Sequence, residues 1–223
     1  GKALIVDGKS KNLKELKVYD NAKTEISEKL TVSSFTEPGE LVVTSKMYGT
    51  NADYLRAVLE YYSVKELADE LRNTYAYIFP NISTAAKIKI TDDEESNVLT
   101  TIETYSIEDV WETTSEGYLK RISIQYEPVS LYNYIYPISC ESKIQPIMLR
   151  YPANFSQQTE IQFPEEVEIA TSVNEEKNDH FNFVKKTEMK KKSLLYLNYS
   201  YESKQKEIQP KDYRGVCNSI NEV

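Results

Sequence analysis

The sequence predicts a mainly β, α+β molecule: an antiparallel β-sandwich of about nine or ten strands with an inserted pair of helices. Three observations carry this. Apolar and polar residues alternate with period two through most of the chain, as in half-buried strands. One stretch, Tyr48 to Leu71 with its continuation to Pro80, breaks that rhythm and repeats its apolar residues at helical spacing. Tyrosine, at 18 residues against Phe 6 and Trp 1, is the dominant aromatic, and it suits strand surfaces where a ring packs while its hydroxyl stays wet.

Residues 1–24, with the polar run DGKSKNLKELKVYDNA, read as a lead-in from a preceding domain, and residues 25–223 as the sandwich. In EISEKLTVSS, Ile26, Leu30 and Val32 share one face. Glu37–Glu40 (EPGE) turns the chain, and LVVTSKMY returns it as a hairpin. The helical insert, about residues 51–79, divides in two. Thr50 with Asp53, and Ser63 with Glu66, have capping-box spacing, which places a hydroxyl acceptor before free N–H groups. Leu55, Val58, Leu59 and Tyr62 form the apolar stripe of the first helix; Val64, Leu67, Ala68, Leu71, Tyr75 and Ile78 form that of the second, which Pro80 ends.

Beyond the helices, TAAKIKIT aligns Ala86, Ile88 and Ile90, and the β-branched VLTTIETYSI follows a solvated acidic loop, Asp92 to Ser96. GYLKRISIQYE puts Tyr118, Ile122, Ile124 and Tyr126 on one side of a further strand. TEIQFP and VEIATSV flank a turn at Pro164 and Glu165. HFNFVKKTE and SLLYLNYSY close the series, with Leu195, Leu197, Tyr199 and Tyr201 alternating. The lysines of Lys185 to Lys192 lie where they would solvate a hairpin turn, and QPKDYRGVCNSINEV predicts a short terminal helix weakened by Gly215.

Function classes narrow by exclusion. A net charge of −8 argues against nucleic acid, since phosphate contacts need a cationic face. No run of apolar residues is long enough for a membrane span. No signal peptide is present, and the opening GKALIVD, which lacks a Met, reads as excised from a longer chain. The single histidine, His180, reads as a turn residue beside a strand, because no thiol and carboxylate converge on it in a recognisable order for a Cys-His-Asp hydrolase. Cys140 and Cys217 read as free or buried thiols; a pairing between them stays open, as spacing cannot show proximity. Asp92 to Glu95 lacks the alternate spacing and glycine of a calcium loop, and ligands for zinc are too few. No catalytic, cofactor or metal residue is therefore assigned, and no cofactor is expected. The one candidate recognition surface is SLYNYIYP: Tyr132, Tyr134 and Tyr136 on a strand could stack on sugar rings or grip a peptide, or pack between the sheets.

Several short motifs together resemble the segment that follows the catalytic core in bacterial transglutaminase-like proteins, which carry β-rich flanking domains of unknown function. The opening GKALIVD resembles the start of that segment. A Gly-x-x-Ala-x-x-x-Arg helix start is matched by Gly49, Ala52 and Arg56, and a later Pro-rich passage and turn by Pro146, Ile161, Pro164 and Glu165. Lys143 stands where arginine is common, and Glu166 where glycine is usual. The resemblance implies a non-catalytic accessory domain, because no position matches the family's Cys-His-Asp core. It implies the transglutaminase-like core as partner and an extracytoplasmic (periplasmic or cell-surface) location. The alternative is an independent glycan- or peptide-binding module.

Overall fold

The computed structural model describes residues 2–3, 6, 12–15, 22–116, 119–135, 140–141 and 144–222. Eight of its strands form one sheet. They are β1 (Lys23–Thr31), β2 (Gly39–Tyr48), β3 (Ile82–Asp93), β4 (Val98–Ile107), β5 (Asn154–Gln162), β6 (Ser172–Lys177), β7 (Phe181–Lys191) and β8 (Leu194–Ser203). Their order across the sheet is β6-β7-β8-β5-β1-β2-β4-β3. Each hairpin pairs antiparallel, but at the centre β5 lies parallel to β1, with Phe155 beside Thr24 and Ile161 beside Leu30. The sheet is therefore mixed, joined from an N-terminal half and a C-terminal half along that parallel seam.

The molecule is mainly β as predicted, but its layers differ from a sandwich of two antiparallel sheets. Alternate residues of the central strands bury one face: Ile26 and Leu30 on β1, Leu41 and Val43 on β2, Tyr105 and Ile107 on β4, Phe155 and Ile161 on β5, and Leu195 and Tyr201 on β8. What covers that face is helix and loop. α2 (Val64–Ala76) and the turn after it contribute Tyr75 and Phe79, a 3-10 helix at Val129–Asn133 contributes Val129 and Leu131, and α3 (Tyr213–Glu222) contributes Tyr213, Val216 and Ile220. A smaller cluster beneath α1 (Thr50–Tyr61) joins Ala52 and Leu55 to Leu67 and Leu99. Antiparallel alternation in the sequence is real, yet it reports only that one face of each strand is buried, and a helical layer satisfies it as well as a second sheet does.

Helix boundaries agree closely with the predicted insert, and α3 forms where a terminal helix was expected. The Ser63–Glu66 capping box is present in both directions, Glu66 N–H to Ser63 Oγ at 3.2 Å and Ser63 N–H to Glu66 Oε2 at 2.8 Å. The Thr50–Asp53 box is not: Thr50 is already helical, and the cap is Gly49 at φ 57°, a left-handed conformation that favours glycine. Asp53 instead pairs with Arg56 at 2.9 Å. Arg56 also forks onto Asp92, with Nε to Oδ2 at 2.9 Å and Nη2 to Oδ1 at 2.6 Å, and donates to Asn97. Gly49 N–H reaches the Asn97 carbonyl at 3.0 Å. The Gly49, Ala52, Arg56 motif thus has one local purpose: it turns the chain, seats a small side chain flush on the sheet and ties α1 to the β3–β4 loop.

Other predictions shift. VEIATSV enters a strand only at Ser172, and GYLKRISIQYE yields only a short hairpin, Glu112–Glu116 with Leu119–Ser123; Tyr118 lies outside the described residues. SLYNYIYP, expected as a strand, begins as the 3-10 helix, so Tyr132 and Tyr134 do not share a pleated face. Of the lead-in, Lys2–Ala3 pairs with Lys14–Glu15, and the sheet begins at Lys23, just ahead of the predicted boundary. Tyr62 and Val64, assigned by periodicity to buried stripes, are 58% and 49% exposed, and Tyr61 is 83% exposed. The helical junction therefore leaves this apolar edge in solvent.

Candidate functional site

The covered face carries polar side chains where the register calls for apolar ones. On β1 the sequence Ile26, Glu28, Leu30 places a glutamate inside, only 1% exposed. On β4, Thr101 and Glu103 lie between Leu99 and Tyr105; on β5, Gln157 and Thr159 lie between Phe155 and Ile161, and all four are buried. Pairing aligns these interruptions: Glu28 sits beside Thr159 on one side and beside Val43 on the other, and Val43 sits beside Glu103. Two buried carboxylates therefore occupy one row of the sheet, two strands apart, or about 9–10 Å between Cα atoms.

Burying a carboxylate is costly unless donors surround it. Glu28 has them: Tyr75 Oη donates to Oε1 at 2.6 Å, while Thr159 Oγ1 at 2.6 Å, Gln157 Nε2 at 2.9 Å and the Tyr126 hydroxyl meet Oε2. Glu103 has fewer, chiefly Thr101 Oγ1 at 2.5 Å. Desolvation raises the pKa of both, opposed at Glu28 by its hydrogen bonds from Thr159, Tyr75 and Gln157. Glu103 is pushed up to about 7, first by desolvation and then by repulsion from Glu28, against the Thr101 bond. Tyr75 and Tyr199 are held well above the ordinary phenol range by burial and by the charge of Glu28, so both stay protonated, Tyr75 as a donor to Glu28.

A pH dependence follows. With its pKa higher in the folded state than the ordinary 4.5, Glu103 binds more protons folded than unfolded, so its contribution to stability is complete below pH 4.5 and is lost as pH rises through about 7. Glu28 acts in the same direction. The Glu103 contribution is about 3 kcal/mol between pH 4 and pH 8. Urea unfolding of Glu103→Gln, which keeps an acceptor for Thr101, is expected to show a pH slope flatter by that amount. A slope equal to that of the unchanged protein would mean that Glu103 ionises as if in water.

Above this network lies a cavity of about 270 Å³ bordered by Tyr126, Glu127, Tyr132, Lys185, Tyr199 and Asn221, with Leu131, Ile135 and Ile220 as apolar wall. Tyr126 links the two, since its hydroxyl bonds Glu28 and lies 2.9 Å from Thr159 Oγ1. Of the three tyrosines predicted for recognition, Tyr132 is 37% exposed at this cavity, its hydroxyl 3.0 Å from Glu127 Oε2. Tyr134 is engaged within the fold: it donates to Thr24 Oγ1 at 2.7 Å, packs on Phe155 at 4.7 Å and lies under the Arg150 guanidinium at 4.5 Å. Tyr136 lies outside the described residues.

The reading of Cys140 and Cys217 as thiols is corrected: they form a disulfide across 77 positions, with Cα atoms 5.5 Å apart. His180 does sit in the turn before β7, 6% exposed; its backbone N–H donates to Asn178 Oδ1 at 2.8 Å, and its ring Nδ1 is buried without a partner among the described residues. In the acidic loop, Asp92 is engaged by Arg56 and Asp93 accepts from Ser96 N–H at 3.0 Å. Among the described residues no helix is long and apolar enough to cross a membrane. The chain matches no known protein family, no curated protein and no solved structure.

Glu28, Glu103, Gln157 and Tyr199 were not singled out from the sequence as site residues. The signal was there: three strands that each break their apolar register at mid-length with a polar residue. Only the pairing order shows that the breaks meet.

Proposed function

We propose that this chain is a non-catalytic accessory domain of a transglutaminase-like protein, bracing or orienting a Cys-His-Asp core or presenting a partner to it. The observation that carries the reading is the Cys140–Cys217 disulfide. The chemistry of such a core begins with a thiolate, and a cystine offers none. The same bond supports an extracytoplasmic location, because structural disulfides persist in oxidising compartments. A surface for the core is available at the helical junction. There Val58, Tyr62 and Leu67 border a groove of about 530 Å³ rimmed by Glu66, Asp69 and Glu70, next to the exposed Tyr61.

The chain by itself is expected to give no hydrolase or transamidase turnover of a glutamine-donor peptide, with or without reductant. Added to a separately produced transglutaminase-like core, it is expected to raise that core's melting temperature, and Tyr62→Ser is expected to weaken the effect. Turnover by the chain alone that disappears in Cys140→Ala would overthrow the reading, and so would the absence of any effect on the core.

A further inference from the structure

We propose that the cavity over Glu28 is a binding site for an uncharged polyol of about one pyranose ring. The inference goes beyond the accessory role and does not rest on it. Its first ground is Tyr199. This residue is 5% exposed and borders the cavity, so the part of it that reaches solvent does so beside that space. The phenol stays protonated, because burial, Glu28 and Tyr132 all oppose its ionisation, so it presents a fixed donor.

The second ground is the balance of the remaining lining. Glu127 is held at the rim by Tyr132 Oη and by Gln125 Nε2, each at 3.0 Å. Lys185 Nζ lies 5.7 Å from the Tyr199 ring centre, on the opposite charge sign. A cation or an anion in this space would meet one of these two as a like charge. A neutral ligand with several hydroxyls meets no such conflict: its O–H groups donate to the carboxylate and accept from the ammonium and the phenol. The tyrosines Tyr126, Tyr132 and Tyr199 in the lining offer ring surface for the C–H groups of a saturated ring. Size decides the rest. At about 270 Å³ the cavity lies just below the range of about 300–1,000 Å³ typical of drug-sized ligands, which leaves room for a single ring rather than a chain of them.

The test uses the intact chain, with D-glucose and N-acetyl-D-glucosamine as neutral probes and glucuronate and glucosamine as charged ones. Ligand-observed saturation-transfer NMR reports contact, and titration of tyrosine fluorescence reports affinity. Saturable binding of a neutral sugar is expected, with the charged sugars weaker. Tyr199→Phe removes one oxygen and keeps the ring, so the fold is expected to stay intact by circular dichroism. The substitution is expected to lower the affinity about tenfold, as loss of one hydrogen bond to a bound ligand does. Lys185→Met is expected to weaken the neutral sugar and to remove the penalty against glucosamine. The proposal fails if neither neutral sugar saturates, if a charged sugar binds more tightly than both, or if Tyr199→Phe binds as well as the unchanged protein.

Discussion

Replacing Glu28 by alanine is expected to be the most damaging single change outside the apolar core, with a loss of about 4 kcal/mol of unfolding free energy at pH 6. The reason lies in what remains behind. Tyr75 Oη, Tyr126 Oη, Thr159 Oγ1 and Gln157 Nε2 all converge on this carboxylate, and Glu28 is 1% exposed, so alanine strands several donors in a space closed to bulk solvent. Gln157 Nε2 also reaches Tyr126 Oη at 3.0 Å and Thr159 Oγ1 at 3.3 Å, contacts that recover only part of what the carboxylate supplies. Glu28→Gln separates polarity from volume. Its oxygen can take the Oε2 side, where three donors meet, and its amide then faces Tyr75, whose oxygen can accept. We expect that variant to retain more than half of the lost stability. Chemical denaturation of the two variants side by side decides the matter. If alanine costs no more than glutamine, the donors have found other partners and the network does not hold the sheet's centre together.

The row that contains Glu28 also shows how far the sequence could be read. Alternation identified the strands, and the spacing of Leu55, Leu67 and Tyr75 identified the helices, because burial of one face leaves a periodic trace whatever does the burying. For the same reason the sequence could not distinguish a second sheet from a layer of helices. Nor could it foresee that β5 crosses to lie parallel beside β1, since strand order is fixed by contacts more than a hundred residues apart. Thr50 and Asp53 satisfied the capping spacing, but the neighbouring Gly49 could reach φ 57° and took the cap, freeing Asp53 for Arg56. Tyr62 fits the helical period and still faces water, because α1 ends at Tyr61 and Tyr62 is extended, at φ −116° and ψ 143°, so helical spacing no longer sets its direction. The tyrosines of residues 132–136 form one group in the sequence. The 3-10 turn divides Tyr132, at a cavity, from Tyr134, pinned against Phe155.

Breaking the Cys140–Cys217 bond is expected to cost nearly as much as losing Glu28, and to act on a different part of the molecule. The bond closes a loop of 77 positions that contains the whole C-terminal half of the sheet, from β5 to β8. Restricting a loop of that length in the unfolded chain is worth about 4 kcal/mol. For a protein of this size that corresponds to a fall in melting temperature of about 10 °C. In the folded state the bond anchors α3, a helix of 10 residues, too short to persist in water without tertiary support. Tyr213, Val216 and Ile220 supply that support from one side, and Cys217, fully buried, adds the covalent tie. In Cys140→Ala/Cys217→Ala, hydrogen exchange is therefore expected to quicken first in α3, with β1 and β2 protected until global unfolding. Ile220 and Asn221 border the tyrosine cavity, and Asn221 Nδ2 lies 3.4 Å from Cys140 Sγ, so a loosened α3 also opens one wall of that cavity. Any sugar affinity measured there should fall together with α3 protection, whereas Glu103→Gln should leave both unchanged. Equal protection of α3 in the alanine pair and the oxidised protein would show that packing alone holds the helix, and that the bond serves only the unfolded chain.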